Sequence, residues 1–164
     1  MQIDIDIADA RWDAALDLAA ISSVAMNAIC ARLGLDPDEC EVSVLACDDM
    51  RIQELNADFR EKDKATNVLS WPALERGADE GCVPDVPEAD VFGAIELGDI
   101  AISYDTCDAE AREAGKPFEH HVTHLIVHGI LHLLGYDHIS DADAALMEQL
   151  ETELLETLGI PDPY

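Results

Sequence analysis

The chain has 164 residues, 49% of them hydrophobic and 27% charged, which is the size and composition of one soluble folded domain spanning residues 1–164. No stretch approaches the roughly 18 apolar residues of a membrane span, and the acidic start MQIDIDIADARWD lacks the parts of a signal peptide, so a cytoplasmic protein with no membrane partner is expected. A net charge of −27, from 36 acidic and 9 basic residues, excludes loose whole-surface binding to nucleic acid, so a polyanionic substrate has to be engaged locally.

In QIDIDIA the apolar Ile3, Ile5 and Ile7 alternate with Asp4 and Asp6, which predicts a first strand with one buried face. From Trp12 to Leu33 the apolar residues recur at helical spacing until Gly34 and Pro37, predicting one long helix. CEVSVLACDD reads as a second strand whose closing aspartates can cap a helix over MRIQELNADFR, with Ile52, Leu55 and Phe59 on one face.

NVLSWP is a further strand stopped by Pro72, and residues 73–90 carry two prolines, two glycines and six acidic residues against one arginine, the composition of a mobile surface loop. GAIELGDIAIS predicts one or two strands bent at Gly98. Helices are predicted over about 104–114, 119–134 and 141–158, with Gly115 and Gly159 as C-terminal caps. This order predicts an α+β domain: a small, mostly mixed sheet of about four strands covered by helices.

Cys30, Cys40, Cys47, Cys82 and Cys107 are odd in number and form no C-x-x-C pair, so reduced structural thiols are expected.

All six histidines fall between His120 and His138. His128 and His132 are four residues apart, so one face of a helix presents both imidazoles to one point, as two metal ligands require. Gly135 is placed to end that helix in a left-handed conformation and send the chain back, bringing His138 round as a third ligand. Three imidazoles leave a tetrahedral metal one open position, the arrangement of a catalytic site in which water is acidified towards a pKa of about 7. The metal site is thus predicted on a helix of the C-terminal half and the loop that follows. Three histidines suit zinc and also nickel, copper or iron. His124, one turn before His128, is a candidate for a supporting or substrate-facing role. Asp137 is placed either to orient a ligating imidazole or bind a metal itself, or to form the turn.

The run His128 to His138 matches the histidines and glycine of the metzincin proteases, H-E-x-x-H-x-x-G-x-x-H, except that Gly129 stands where those enzymes carry their general base. A peptidase would need a base from elsewhere, such as Glu96 or Glu119, and neither is indicated by the sequence.

Residues 51–64 hold four basic groups (Arg51, Arg60, Lys62, Lys64) and four acidic ones (Glu54, Asp58, Glu61, Asp63), a neutral window in an otherwise negative chain. It reads either as a solvated helix end or as a local phosphate site.

LNADFREKDKATNVLSWP, LGDIAIS, GKPFEHHVTHLIVHGILHLLGYDH and the closing acidic helix together resemble the YbeY family of bacterial rRNA-maturation endoribonucleases, over roughly residues 40–158. Every fixed position of the family's H-G-x-L-H-L-x-G-Y-D-H motif is present. The resemblance implies one zinc ion per chain held by His128, His132 and His138, and a functional arginine at Arg60 that contacts RNA phosphate, with Lys62 and Lys64 beside it.

It further implies single-strand-specific cleavage in rRNA processing, including maturation of the 16S 3′ end, and a part in ribosome quality control. The implied partners are single-stranded rRNA, the small ribosomal subunit and a ribosomal protein or GTPase. A non-catalytic zinc-binding assembly factor is the competing expectation, and a zinc protease a third. Trp71 stands where the family more often has phenylalanine, and the acidic 73–90 loop has no family signature.

Overall fold

The computed structural model describes residues Met1–Tyr164. Strands β1 (Gln2–Ile7), β2 (Cys40–Cys47), β3 (Val68–Pro72) and β4 (Ile95–Ser103) form one sheet in the order β1-β2-β4-β3. β1, β2 and β4 run parallel, and β3 is antiparallel to β4 on the open edge, so the sheet is mixed and four-stranded as expected. Helices α1 (Arg11–Ala15), α2 (Leu18–Leu33), α3 (Asp49–Arg60), α4 (Tyr104–Ala114), α5 (Phe118–Leu133) and α6 (Asp141–Thr157) complete the α+β domain.

The long helix expected from Trp12 to Leu33 is two helices. Leu16 and Asp17 are extended, and the Asp17 carboxylate accepts the Ala20 N–H, starting α2 afresh as a side-chain cap. Apolar periodicity runs through this break because Trp12, fully buried, still packs into the core and donates from Nε1 to the Cys47 carbonyl at 2.9 Å. Periodicity reports burial, and burial does not require an unbroken helix.

GAIELGDIAIS forms one strand with a bulge. Glu41 pairs with Glu96 and Val42 with Gly98, so Leu97 is the extra residue. Gly98 has φ +138°, and a Cβ there would lie 2.1 Å from the Trp71 carbonyl oxygen, so the bulge needs glycine for both conformation and space.

The principal core lies between the sheet and α2, α5 and α6; a smaller one, built from Cys47, Ile52, Leu69 and Ala101 with Leu55 and Trp71, lies under α3 on the opposite face. α5 is the central helix, packed on α2, α4, α6, β3 and β4. Nine of its sixteen residues are buried. A helix fixed on so many sides is a rigid mount for functional side chains.

Residues 73–90 form no strand or helix and are largely exposed. They are nevertheless anchored: the Arg76 guanidinium donates to the carbonyls of Glu96 (2.9 Å), Leu133 (3.0 Å) and Leu97 (3.3 Å), and the Gly81 N–H donates to Asp143. Arg76 thereby satisfies a carbonyl left open at the C-terminal end of α5. No helix is long and apolar enough to cross a membrane.

Candidate metal centre and its cleft

His128 and His132 lie one turn apart on α5, and their Nε2 atoms face each other at 3.0 Å. Two nitrogens sharing a tetrahedral zinc at bonds of about 2.0–2.1 Å are separated by roughly 3.3 Å, so the pair stands close to the spacing a metal requires. His138 closes the group, its ring centroid 5.3 Å from that of His128 and 4.9 Å from that of His132. One nitrogen from each of the three lies within 4.8 Å of the others.

The chain reaches this arrangement through Gly135. It takes φ +102° just beyond α5, and a Cβ would stand 2.2 Å from the Arg76 carbonyl oxygen. The turn that delivers His138 is therefore formed against the strap that Arg76 pins down.

The imidazoles are held in defined orientations. His132 Nδ1 is 2.9 Å from the Tyr136 carbonyl, which fixes N–H there and leaves Nε2 as a lone-pair donor. Burial, reinforced by His128 and His138, holds His132 down at about 4, so it is neutral at pH 7 as a ligand must be. His128 Nδ1 is hydrogen-bonded to the Glu151 carboxylate on α6. The donor set and its spacing fit a divalent metal ion.

Gly129, where a peptidase would carry its glutamate, faces the sheet. A Cβ there would lie 3.0 Å from Ile100 Cδ1 and 3.3 Å from Ser70 Oγ, and the Ser70 hydroxyl donates to the Gly129 carbonyl at 3.4 Å. A glutamate side chain at this position would meet the strands behind α5. Glu96 and Glu119 are exposed and do not line the cleft; its carboxylates are Glu75 and Asp137.

The histidines open into a cleft of about 870 Å³ running along β3, the edge strand. Arg60, Lys62, Lys64 and Arg76 line it, four of the chain's nine basic residues. Arg60 uses one N–H to hold the Ser70 carbonyl at 2.6 Å, which lays its guanidinium along the strand with its remaining donors available.

Every arginine outside the cleft is ion-paired: Arg11 with Asp9 and Asp105, Arg32 with Glu153, Arg51 with Glu54, Arg112 with Asp108. None of the four cleft cations has a carboxylate within 4.0 Å. A protein of charge −27 thus gathers in one cleft four of its five basic side chains that lack a carboxylate partner; the fifth, Lys116, reaches only the Pro163 carbonyl.

Of the residues singled out from the sequence, the cleft gathers Arg60, Lys62, Lys64, His128, His132, Asp137 and His138. Asp137 accepts the His138 N–H at 2.7 Å, the turn-forming arrangement, and touches no imidazole through a hydrogen bond. His124 lies behind the cleft, its Nε2 3.6 Å from Glu151. Sequence reasoning missed Glu151, Tyr164 and Arg76. A signal for Glu151 was present: it occupies the apolar stripe of α6 formed by Met147, Leu150, Leu154 and Leu155, where an acid is out of place.

The whole chain matches known proteins. A family model described as Endoribonuclease YbeY matches residues 6–159. Endoribonuclease YbeY of Ruegeria pomeroyi is 57% identical over 165 residues, covering 100% of this chain and 98% of its own length. That of Dinoroseobacter shibae is 54% identical, covering 99% of this chain and 90% of its own. The solution structure of TM1509 from Thermotoga maritima matches with a TM-score of 0.61 at 26% identity, covering 94% of this chain and 87% of that one. The matched span contains every strand and helix that builds the histidine cleft, apart from the first residues of β1, and the chain belongs to the YbeY family of endoribonucleases.

Proposed function

We propose that this chain is a metal-dependent endoribonuclease that cuts single-stranded rRNA during processing, including maturation of the 16S 3′ end, and serves ribosome quality control on the small subunit. The observation that carries the reading is the cleft itself: three converging imidazoles face four basic groups free of carboxylate partners, in a chain otherwise strongly acidic. A phosphodiester strand is the ligand whose charge suits that cleft.

In this reading His128, His132 and His138 hold one zinc ion, whose chemistry when bound is polarisation of a phosphoryl oxygen and acidification of water. Arg60 holds the scissile phosphate through the guanidinium donors that Ser70 leaves available, and opposes the charge that builds on its oxygens. Lys62 and Lys64, on the connection between α3 and β3, hold neighbouring phosphates and align the strand along the sheet edge. Gly129 contributes close packing and no base. The domain 1–164 works as one unit, in the cytoplasm, with the small subunit and a ribosomal protein or GTPase as partners.

The test measures bound metal and cleavage of a single-stranded RNA for the wild type, His128→Ala and Arg60→Ala. His128→Ala loses both; Arg60→Ala keeps the metal and loses cleavage. Pure, metal-loaded wild type that leaves RNA intact while still associating with ribosomal subunits would replace this reading with a non-catalytic zinc-binding assembly factor.

A further inference from the structure

Glu151 is 0% exposed, the one charged group buried on the inner face of α6. A carboxylate taken wholly out of water is costly unless hydrogen-bonded and paired. Its neighbours on the same face are Met147, Leu150, Leu154 and Leu155, so nothing in the packing of α6 calls for an acid here. What does accompany it is a ring of donors: one carboxylate oxygen is hydrogen-bonded to His128 Nδ1, the other to the Tyr164 hydroxyl, and His124 Nε2 stands 3.6 Å away.

Tyr164 arrives from beyond α6. The chain turns after Thr157, Lys116 Nζ reaches the Pro163 carbonyl at 3.5 Å, and the Tyr164 ring meets the His124 ring edge-on, with centroids 5.7 Å apart.

We infer that Glu151 is a positioning residue for the metal centre and that Tyr164 completes it: the carboxylate accepts a hydrogen bond from the Nδ1–H of His128, so that Nε2 faces His132 as a lone-pair donor, and the tyrosine hydroxyl locks the carboxylate in place. An ionised carboxylate only accepts hydrogen bonds, so with Tyr164 donating to one oxygen, the His128 nitrogen at the other is the N–H. This tautomer is the one in which His128 and His132 present Nε2 to a common point, and a ligating histidine held through its second nitrogen by a carboxylate binds metal more tightly. The helix that follows α5 and the segment after it thus support an α5 histidine. The alternative for the same atoms is a second metal bound by His124, His128 and Glu151, which also converge. It requires His128 to give up the Glu151 hydrogen bond and ligate through both nitrogens.

The inference rests on the reading that the three histidines bind metal, and its test needs no RNA. Zinc affinity is measured by chelator competition, and the visible spectrum and stoichiometry with cobalt(II), for wild type, Glu151→Gln, Tyr164→Phe and His124→Ala, with circular dichroism of each metal-free protein as the folding control. Expected are one metal per chain, affinity lowered roughly 10- to 100-fold in Glu151→Gln with a changed cobalt spectrum, and a smaller loss in Tyr164→Phe.

Tyr164→Phe leaves the carboxylate in the core and removes only a hydroxyl, so it carries the test should Glu151→Gln not fold. Zinc affinity within twofold of wild type in folded Glu151→Gln, or in Tyr164→Phe alone, overturns the inference. So does a stoichiometry of two that falls to one in His124→Ala. Wild type that binds no metal overturns the metal reading, and this inference with it.

Discussion

The Nε2 atoms of His128 and His132 face each other across 3.0 Å on one side of α5, while the Nδ1 atoms of both are engaged by hydrogen-bonding oxygens from other segments. Two imidazole nitrogens turned towards each other leave no room for protons on both, and a metal ion shared between them would suit the proposed site. Replacing either histidine with alanine should abolish retention of metal through dialysis, while circular dichroism of the metal-free protein remains that of the wild type. Retention of stoichiometric metal by His132→Ala would count against the site.

Arg60 touches phosphate in this account, and the metal is held without it. Arg60→Ala should therefore keep full metal content and lower single-turnover cleavage by about 10²- to 10³-fold, the range for removing one donor to developing charge. Arg60→Lys should recover only part of that loss, because a point charge does not reproduce the fork that spans Ser70 and the phosphate.

RNA affinity should fall with salt in proportion to the few cations that face the cleft. With each phosphate contact contributing a slope of about −0.7 in log affinity against log salt, up to four cations give about −2 to −3. Lys62→Ala or Lys64→Ala should flatten the line by about 0.7, as read by fluorescence anisotropy. Arg112→Ala, which removes a cation already paired with Asp108, should leave the slope unchanged.

Gly135 has both a positive φ and a backbone oxygen where a Cβ would go. Gly135→Ala should cost at least about 2 kcal/mol in urea denaturation, from conformational strain together with displacement of the Arg76 strap. The displaced turn carries His138, so metal affinity should fall in the same variant. An alanine variant as stable as wild type would show that the strap yields easily.

The elements that could be read from the sequence were those whose information is local. Alternation in QIDIDIA, the caps at Asp48 and Gly115, and the four-residue step from His128 to His132 each specify geometry within one or two turns of chain. The break at Asp17 escaped because a buried Trp12 preserves the apolar rhythm across it. Arg76 looked like one cation in an acidic loop; its role comes from carbonyls of β4 and α5 that meet only in the fold. Glu151 and Tyr164 belong to the site through contacts 23 and 13 residues apart, which no spacing rule within α5 contains.

The meaning of Gly129 was half legible. Its lack of a side chain removes a protease base, and the fold adds that a Cβ at this position would press on Ile100 and Ser70.

The most direct test of the central claim is cleavage of a defined single-stranded RNA by the wild-type chain before and after metal removal with a chelator, followed by stoichiometric zinc. The account predicts that cleavage disappears with the metal and returns with one zinc per chain. Metal-free protein that cuts the same RNA at the undiminished rate would contradict it.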